Sequence, residues 1–403
     1  MTSVGLLVVG SGPAGVHAAA AYLRAGGAGS VLLVSADRDA PYQRPPLSKG
    51  VLAGDDPVEG TAILDDEDDL DAWRRVEVEL GTRVEAVDVV RRSVLCDDGR
   101  RLPYDRLVLA TGSAPVPLPG ADADAPVHLL RSLEQARAVV GALDGAGTVV
   151  VVGSGFIGCE AAAALAGRGL RTVLVTPEHA PQAARLGDWA GGRIATWLIA
   201  AGVELRTGVE VESVARTGVV HLGDGEEVPA DLVLAAVGVQ QDQPLLRTID
   251  VEVDEGRVVV DAGMRSTDEH VWAVGDVAAA HHPVAGRTLT VEHWGDAIAM
   301  GRTAGANAAA ASLDTPDAAT EWSDPPGFWS EIGGHTLKYS AWGDGFDRAS
   351  VVEHDAGSFT VWYADEDGEL VGVLTHGCDD DYERGGDLLA RRATLAESLE
   401  TGG

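Results

Sequence analysis

Short apolar runs alternate with glycine-rich turns and alanine-rich stretches at the beginning of the chain. Residues 6–9 are wholly apolar, a turn of glycine and serine follows, and the alanine-rich residues 16–24 lead to a second apolar run at 31–34. An apolar run of this length between turn signals is typical of a strand buried on both faces of a parallel sheet. The pattern predicts strand, turn, helix and strand, in that order.

The turn carries a G-x-G-x-x-G pattern, which points to binding as well as packing. Gly10 permits a tight turn, Gly12 lets the backbone approach a pyrophosphate, and Gly15 lets the helix pack close to the strand. Pro13 and Ala14 stand between them, at the start of a helix whose N–H groups would face the phosphates. A plain packing turn is the alternative, but strands on both sides favour a dinucleotide site.

The same succession of elements begins again at residue 148. Residues 148–152 end in four valines, 159–168 are rich in alanine and 170–175 end in the apolar run 173–175, while 231–238 repeats the pattern of 105–112. Two such turns predict an internal duplication and two bound dinucleotides. The second glycine turn consists of Gly153, Ser154, Gly155, Phe156, Ile157 and Gly158.

Alternating apolar and polar residues fill the segments between these units. The runs at 76–80, 83–90 and 93–96 predict a β-meander inserted in the first unit, and 204–214 with 219–222 predict a second meander. Three prolines between 115 and 119 predict a stiff linker and a domain boundary. From about 315 scattered tryptophans accompany four strand-like segments, which predict a small α+β domain with strands at 336–342, 349–354, 358–364 and 370–375.

Composition then narrows the function classes. The 403 residues include 30 basic and 63 acidic side chains, a net charge of −33, which argues against nucleic acid and anionic membranes as partners. No apolar run reaches the roughly 18 residues of a membrane span, and no basic segment precedes the first strand, so we expect a cytoplasmic protein.

Metal chemistry is not expected. Cys96, Cys159 and Cys378 have neither C-x-x-C spacing nor the spacing of metal ligands. The acidic run at 65–71 lacks the glycine and the terminal glutamate of a calcium loop, so we expect it to form a solvated face.

A proline-rich loop at 41–50 is the main candidate for chemistry outside the glycine turns. Its two adjacent prolines exclude regular structure and fix the backbone ahead of a short turn or helix that starts at Ser48. Arg44 and Lys49 would offer an anionic ligand two cations on a rigid loop, whereas a surface turn is the alternative. Lys49 stands out because the chain contains only one other lysine.

Two acids directly follow predicted strands. Asp37 lies just beyond the second strand, where adenosine ribose hydroxyls are usually held. Asp276 follows Gly275 at the end of the strand at 271–274, where it could bind ribityl hydroxyls or order a water against a pyrophosphate. A helix N-cap ahead of residues 277–280 is the alternative for Asp276.

Taken together, these motifs resemble those of flavoprotein pyridine nucleotide oxidoreductases. The nearest resemblance is to NADH-dependent ferredoxin reductases of oxygenase and cytochrome P450 systems, the putidaredoxin-reductase and biphenyl-dioxygenase-reductase type. It covers essentially the whole chain, and its most specific part is 42–49, which is similar to the family's R-P-P-L-S-K loop. The other matching motifs are Ala110-Thr111-Gly112, the second glycine turn continued to Glu160, and the segments 273–276, 291–294 and 328–330.

The resemblance implies an α/β fold like that of glutathione reductase, with two Rossmann-like domains and a small α+β C-terminal domain. The implied domains are a discontinuous FAD-binding domain (1–117 and 243–314), an NAD(P)H-binding domain (118–242) and the C-terminal domain (315–403). The implied FAD contacts along the pyrophosphate are Gly10, Gly12, Pro13, Ala14, Gly15 and Arg131. Asp37 and Arg44 would lie on the adenosine side, with Val84 near adenine and Asp276 beside the ribityl chain. Trp294 and Trp329 would lie by the isoalloxazine, with Lys49, Ala110, Thr111, Gly112 and Gly275 nearby.

The resemblance also implies the mechanism. In the family the lysine matching Lys49 lies near flavin N5 and pairs with the glutamate matching Glu160, and a carboxylate in such an apolar helix start rarely lacks a partner. Hydride would pass from nicotinamide C4 to flavin N5, and single electrons would then pass to a [2Fe-2S] ferredoxin or similar carrier. The implied NAD(P)H contacts are Gly153, Gly155, Phe156, Ile157, Gly158, Glu160, Glu178 and Gly238.

The chain departs from the family pattern at two places. Where an acid often ends the second strand of the NAD unit, this chain has Thr176, with Glu178 two residues later. An acid near the ribose would bond its hydroxyls and repel a 2′-phosphate, so NADH is favoured over NADPH. The usual Pro-Asn pair is replaced in the segment 241–243.

Competing functions remain at this point. A disulfide reductase would need a C-x4-C pair beside the flavin, and the chain has no cysteine before Cys96. An NADH-sensing flavoprotein of the apoptosis-inducing-factor type is one alternative, in which reduction changes partners and turnover is slow. A direct small-molecule NAD(P)H oxidoreductase is the other, with Lys49 and Glu160 as its only acid–base pair.

Overall fold

A computed structural model of the chain describes residues 3–60, 62–64, 66–241, 243–315 and 318–400. Asp65 of the acidic run and Asp242 of the segment 241–243 lie outside the described residues. In the first part of the chain the strands are β1 (Leu6–Val9), β2 (Val31–Ser35), β3 (Glu77–Leu80), β4 (Val84–Asp88), β5 (Ser93–Cys96), β6 (Arg101–Pro103), β7 (Leu107–Leu109) and β8 (Ala114–Pro115). The helices of this part are α1 (Pro13–Arg24), α2 (Gly50–Ala53) and α3 (Glu67–Trp73).

The second part of the chain repeats this order of elements. Its strands are β9 (Val127–Leu129), β10 (Thr148–Val152), β11 (Arg171–Thr176), β12 (Val203–Thr207), β13 (Val211–Val214), β14 (Val219–Leu222), β15 (Glu227–Pro229), β16 (Leu232–Ala235) and β17 (Val239–Gln240). Its helices are α4 (Leu133–Ala142), α5 (Phe156–Gly167) and α6 (Ala183–Ala200).

The remaining elements complete the first unit and build the C-terminal one. The strands are β18 (Val253–Asp254), β19 (Arg257–Val260), β20 (Val271–Ala273), β21 (Ala278–His282), β22 (Arg287–Leu289), β23 (Gly327–Ile332), β24 (His335–Ala341), β25 (Arg348–Glu353), β26 (Phe359–Ala364) and β27 (Leu370–His376). The helices are α7 (Trp294–Ser312), α8 (Asp379–Ala390) and α9 (Leu395–Leu399).

Each of the two larger units is built on a five-stranded parallel sheet. The strand order is β20-β7-β1-β2-β3 in the first sheet and β12-β11-β10-β16-β9 in the second. Apart from Thr148 at the start of β10, the central strands β1 and β10 are buried on both faces, which explains their apolar sequences. The C-terminal unit is an antiparallel sheet in the order β23-β24-β27-β26-β25, so the predicted α/β class with two Rossmann-like units and an α+β C-terminal part is confirmed.

Two segments that we predicted as meander strands belong to the parallel sheets. β3 pairs with β2, and β12 pairs with β11, both in parallel register. The meanders are the smaller sheets β4-β5-β6 and β13-β14-β15. β3 and β12 are edge strands with one exposed face, so their sequences alternate as an antiparallel strand would.

Three local predictions also need correction. The adjacent prolines lie within a short 3-10 helix, Pro45–Ser48, whose first turn tolerates a missing N–H group. Residues 278–282 form strand β21, so Asp276 precedes a strand and not a helix. The acidic run starts helix α3, and Asp69 turns inward, 2% exposed, where it pairs with Arg24 and Arg302. The run is therefore not simply a solvated face.

Helix α1, which follows the first glycine turn, is held against α7 by small residues. A Cβ on Gly301 would lie 2.3 Å from the Ala14 carbonyl oxygen, and one on Gly305 would lie 2.2 Å from the Ala18 oxygen. Only glycine allows the two helices to approach this closely. Among the described residues, none of the helices has the length and apolar character needed to cross a membrane.

Candidate active site

The first glycine turn forms a cradle in which Gly10 and Gly15 allow close packing, whereas Gly12 leaves space for a ligand. Gly10 has φ +114°, and a Cβ there would lie 2.2 Å from the Ala110 carbonyl oxygen. A Cβ on Gly15 would lie 2.1 Å from the Gly10 oxygen. A Cβ on Gly12, in contrast, would meet only the Arg44 guanidinium, at 3.5 Å. The protein itself therefore leaves the space at Gly12 open, as a backbone that approaches a pyrophosphate requires.

Cationic and unpaired polar groups surround this cradle. Burial lowers the pKa of Arg44, and the nearby Arg131 cation lowers it further. Arg131 contacts Asp276, whose carboxylate also accepts the Ser113 hydroxyl at 2.5 Å. Thr111 Oγ1 and Arg131 Nε are buried with no hydrogen-bond partner among the described residues. Two crowded cations and two free buried polar atoms fit an anionic ligand with polar groups, as the pyrophosphate and ribityl chain of FAD would supply.

The end of this cradle next to β2 is organised by hydroxyl groups. Ser11 Oγ and Ser35 Oγ form a hydrogen bond of 2.7 Å, and the Asp37 amide donates to Ser35 Oγ at 3.1 Å. The Tyr42 hydroxyl donates to the Asp37 carboxylate at 3.0 Å. Val84 is buried at the start of β4. Asp37 is thus held just beyond the end of β2, where a ribose would lie.

The second glycine turn repeats the first in its geometry. Gly153 has φ +103°, and a Cβ there would lie 2.4 Å from the Ala236 carbonyl oxygen. A Cβ on Gly158 would lie 2.1 Å from the Gly153 oxygen, whereas a Cβ on Gly155 would meet nothing within 4 Å. Phe156 and Ile157 begin helix α5 directly after the turn.

Glu178, which follows the second turn, is held in the same way as Asp37, which follows the first. Ser154 Oγ lies 2.8 Å from Thr176 Oγ1, and the Glu178 amide donates to that Thr176 hydroxyl at 3.2 Å. This reproduces the Ser11–Ser35–Asp37 arrangement, with Glu178 in the place of Asp37. Glu178 also accepts the Ala184 amide at 2.8 Å at the beginning of α6, and neighbouring His179 pairs with Asp188 at 2.8 Å. Gly238, φ +102°, follows β16 and its carbonyl accepts the Val116 amide.

Lys49 and Glu160 meet between the two units. Lys49 Nζ lies 2.9 Å from Glu160 Oε2, and the glutamate is 5% exposed. Glu160 also accepts the hydroxyls of Ser48 and Ser330, each at 2.6 Å. The predicted pairing is therefore present, and the carboxylate is fully bonded, as a buried charge must be. The sequence did not mark either serine as a partner of the carboxylate.

A cleft of about 730 Å³ opens at this pair. Trp294 and Trp329 line it together with Lys49, whose Nζ lies 4.8 Å from the centre of the Trp329 ring. The small residues Ala163, Ala164 and Gly167 of α5 line the cleft beside Glu160. The cleft thus has two tryptophan side chains and the Lys49–Glu160 ion pair in its lining.

The predicted site residues thus form two cradles and a junction. Gly10–Gly15, Asp37, Arg44, Arg131 and Asp276 surround the first cradle, and the second glycine turn with Glu178 forms the other. Lys49, Glu160, Trp294 and Trp329 lie at the junction. Among the described residues no cluster of three metal-ligating side chains occurs, and all three cysteines are free. Such an arrangement defines a flavoprotein that exchanges hydride with a nicotinamide dinucleotide.

Comparisons with known proteins agree with this class. The family model described as pyridine nucleotide-disulphide oxidoreductase matches residues 5–301. Rubredoxin-NAD(+) reductase from Pseudomonas putida is 31% identical over 338 residues, 83% of this chain and 85% of its own. Rhodocoxin reductase from Rhodococcus erythropolis is 32% identical over 371 residues, 89% and 83% of the two chains. The chain therefore belongs to the pyridine nucleotide-disulphide oxidoreductase family.

Solved structures extend the match to the C-terminal unit. The crystal structure of the covalent putidaredoxin reductase–putidaredoxin complex matches with a TM-score of 0.86 and 28% identity, covering 97% of this chain and 94% of the other. The resemblance to ferredoxin-type reductases is confirmed. The protein is an NAD-linked oxidoreductase, and its cofactors are FAD and NADH.

Proposed function

We propose that this protein takes electrons from NADH through FAD and delivers them singly to a small iron–sulfur carrier of the ferredoxin type that serves an oxygenase or a cytochrome P450. The observation that carries the proposal is the Lys49–Glu160 pair, 2.9 Å apart, which joins the proline-rich loop of the first unit to helix α5 of the second. A nicotinamide from one cradle and a flavin from the other would stack at this junction. When bound, FAD supplies the redox chemistry, since it accepts a hydride and releases electrons one at a time.

The side chains have separate tasks in this proposal. Arg131 neutralises the pyrophosphate of FAD, Arg44 lies on the adenosine side, and Asp37 bonds the ribose. Asp276, held by Arg131 and Ser113, faces the ribityl chain. Val84 lies beside adenine, and Ala110, Thr111, Gly112 and Gly275 shape the backbone around the flavin. In the second cradle the glycine turn from Gly153 to Gly158 takes the NADH pyrophosphate and Gly238 borders it.

The proposed hydride transfer depends on water exclusion and alignment. Lys49 is held by Glu160 at the cleft, where its ammonium can orient the nicotinamide carboxamide or the flavin edge. Trp294 and Trp329 cover the rings and keep water away from them. Excluding water also strengthens the Lys49–Glu160 attraction, because the local dielectric constant falls.

Cofactor choice and domain limits are part of the same proposal. Glu178, held like Asp37, selects NADH by repelling a 2′-phosphate. The FAD domain comprises 1–117 and 243–314, the NADH domain 118–242, and the C-terminal domain 315–403. The free cysteines are compatible with a reducing compartment, and we place the reaction in the cytoplasm.

The choice of a carrier protein as acceptor rests on relatives and on Trp329. The relatives are named as reductases of rubredoxin and rhodocoxin, and one solved neighbour is a complex with putidaredoxin. Trp329 is 50% exposed at the cleft, so a carrier that covers it would come within electron-transfer reach of the flavin. The NADH sensor and the direct small-molecule oxidoreductase do not require such an exposed ring.

Anaerobic reduction and reoxidation of the purified protein test the proposal. The protein should be yellow, release FAD and not FMN on denaturation, and bleach with NADH. Addition of a [2Fe-2S] ferredoxin should restore the flavin absorbance in seconds, faster than an equal amount of a small quinone. Colourless protein that cannot be reconstituted contradicts the FAD assignment, whereas a reduced flavin that persists in air and ignores the ferredoxin favours the NADH sensor.

A further inference from the structure

The carboxylate of Glu160 receives hydrogen bonds from two parts of the chain that are far apart in sequence. Its Oε2 accepts Ser48 Oγ at 2.6 Å and Lys49 Nζ at 2.9 Å. Its Oε1 accepts Ser330 Oγ at 2.6 Å and the Glu331 amide at 3.3 Å. Glu160 lies on α5, Ser48 and Lys49 follow the proline pair, and Ser330 lies on β23 of the C-terminal sheet. Ser330 is completely buried.

The hydroxyl of Ser330 fixes how the carboxylate is turned. The last torsion of a glutamate side chain is broad, so bonds to both oxygens are needed to hold its plane. Without Ser330, Oε1 would keep only the longer bond from Glu331, and Oε2 could turn away from Lys49. Lys49 Nζ also donates to the Pro45 carbonyl at 3.4 Å, and this bond would still hold the ammonium after the carboxylate has turned away.

The same strand also touches the other member of the pair. Trp329, the residue before Ser330, places its ring 4.8 Å from Lys49 Nζ. Strand β23 is further anchored to α5 because Phe328 meets Phe156 edge to face, with ring centres 4.6 Å apart. The C-terminal sheet therefore contacts both Lys49 and Glu160 from a rigid element.

We propose that Ser330 is a positioning residue for hydride transfer, which acts by orienting Glu160 and, through it, Lys49. The C-terminal domain would thus complete the site for nicotinamide in addition to offering a surface to the electron acceptor. This inference rests on the proposed function, because it assigns Ser330 a task only if Lys49 and Glu160 align the nicotinamide with the flavin.

Stopped-flow reduction of the FAD-loaded protein tests the positioning role. Ser330→Ala should lower the limiting rate of flavin reduction by NADH about tenfold, less than the roughly hundredfold that a displacement near 1 Å costs. The Kd for NADH should change less than the rate, since the Ser330 hydroxyl bonds Glu160 and, among the described residues, no member of the second glycine turn and not Glu178. Ser340→Ala is the matched control, because Ser340 is a buried serine on the neighbouring strand that bonds Pro326 and no site residue.

A double-mutant comparison separates positioning from a general structural effect. In a Glu160→Ala background Ser330 has no carboxylate to orient, so Ser330→Ala should cause no further loss of rate. An equal fold loss in both backgrounds would mean that Ser330 supports the fold independently of Glu160, and would overturn the proposal.

The reactivity of Lys49 gives a second readout that needs no flavin chemistry. Lys49 and Lys338 are the only lysines in the chain, so limited acetylation followed by mass spectrometry yields an internal ratio. A Lys49 released from Glu160 should be acetylated severalfold faster relative to Lys338 in Ser330→Ala, and at the wild-type ratio in Ser340→Ala. Unchanged reactivity together with an unchanged reduction rate would overturn the proposal.

Two controls keep the outcomes distinct. If Ser330→Ala does not fold or does not hold FAD, Ser330→Cys fills the same space with a much weaker donor, and the same losses are expected of it. If the wild-type protein is not reduced by NADH, the proposed function fails. A wild-type protein that is reduced, with a Ser330→Ala variant that matches it, contradicts only the inference about Ser330.

Discussion

The pair formed by the partly buried Lys49 and the buried Glu160 gives the most direct prediction at the scale of single residues. Removal of Lys49 leaves the buried Glu160 carboxylate without its cation, which costs about 3 kcal/mol or more. Removal of either residue misplaces the nicotinamide. Lys49→Ala and Glu160→Ala should each retain FAD and slow flavin reduction by NADH about a hundredfold. The double variant should be little worse than either single one, because the two residues act as a unit.

Stopped-flow reduction measures this effect, with Lys338→Ala as the control. Lys338 pairs with Asp379 near the surface and lines no part of the proposed hydride-transfer cleft. If both site variants reduce their flavin at the wild-type rate, the pair has no role in hydride transfer.

Glu178 carries the prediction for cofactor choice. Glu178→Gln removes the charge that would repel a 2′-phosphate but keeps an amide that can still bond ribose and Ala184. The ratio of kcat/KM for NADH to that for NADPH should fall about tenfold, the size of one charge interaction near a surface. Glu204→Gln, on the neighbouring strand and paired with Arg171, should leave the ratio unchanged; a preference for NADPH in the wild type would show that the loop is misassigned.

Site residues could be predicted from the sequence only where a reactive or charged side chain stands in an unusual local pattern. Lys49 stood out as a rare cation in a rigid loop, and Glu160 as a charge in an apolar helix start. Ser48 and Ser330 carried no such signal, because a serine that bonds a buried carboxylate has the same neighbours in sequence as one that faces solvent. Only its position after Trp329, in a motif shared with the family, marked Ser330.

At the scale of elements, the two glycine turns make a distinction that mutation can test. Gly10→Ala would force a side chain into a φ of +114° and against the Ala110 oxygen, so we expect a loss of about 2 kcal/mol or more in the free energy of unfolding of the FAD-free protein. Gly12→Ala meets no such contact and should leave that stability near wild type, yet FAD affinity should fall at least about tenfold, one step of 1.4 kcal/mol.

Urea unfolding and FAD titration of the FAD-free variants separate the two effects. Gly155→Ala provides the counterpart in the second turn: it should retain FAD and weaken NADH binding. A Gly12→Ala variant that binds FAD normally would show that the pyrophosphate does not lie against this turn.

The same elements show why the fold was only partly readable from sequence. The central strands β1 and β10 are buried on both faces, and their apolar runs predict them directly. The edge strands β3 and β12 carry Glu77, Glu79 and Glu204 on their open side, so their alternation resembles that of a meander. Pairing between strands far apart in the chain decides such cases, and local pattern does not contain that information.

At the scale of the whole molecule, the C-terminal unit is joined to the first unit through a buried histidine. His282 on β21 is 0% exposed, and the rings of Trp322 and Trp342 pack against it with centres at 4.7 and 5.1 Å. Its Nδ1 accepts the Ala285 amide at 3.2 Å, so Nε2 carries the proton and donates to the Asp324 carbonyl at 3.1 Å. Both nitrogens are thus used by the neutral ring, and burial lowers the pKa of His282 from its ordinary value.

This arrangement predicts a loss of stability in mild acid. Because the pKa of His282 is lower in the folded chain than in the unfolded chain, the unfolded chain binds more protons once the pH falls below about 6.5, and stability then falls with pH. The limiting slope is about 1.4 kcal/mol per pH unit for one group. Carboxylates also make stability depend on pH, but only below about pH 4. Asp69 is an example: burial alone would raise its pKa, but the hydrogen bonds from Arg24 and Arg302 outweigh burial and lower it.

Urea unfolding at about pH 7.5 and about pH 5.5 tests the role of this residue. His282→Gln can still donate to Asp324 but has no group that gains a proton in this range. It should be less stable than the wild type at the higher pH, because glutamine leaves part of the ring space empty, and it should lose less stability on acidification. His281→Gln, exposed on the same strand, should lose as much as the wild type. If His282→Gln shows the full acid loss, another group is responsible for it, and the contact between the first and C-terminal units is insensitive to the protonation of His282.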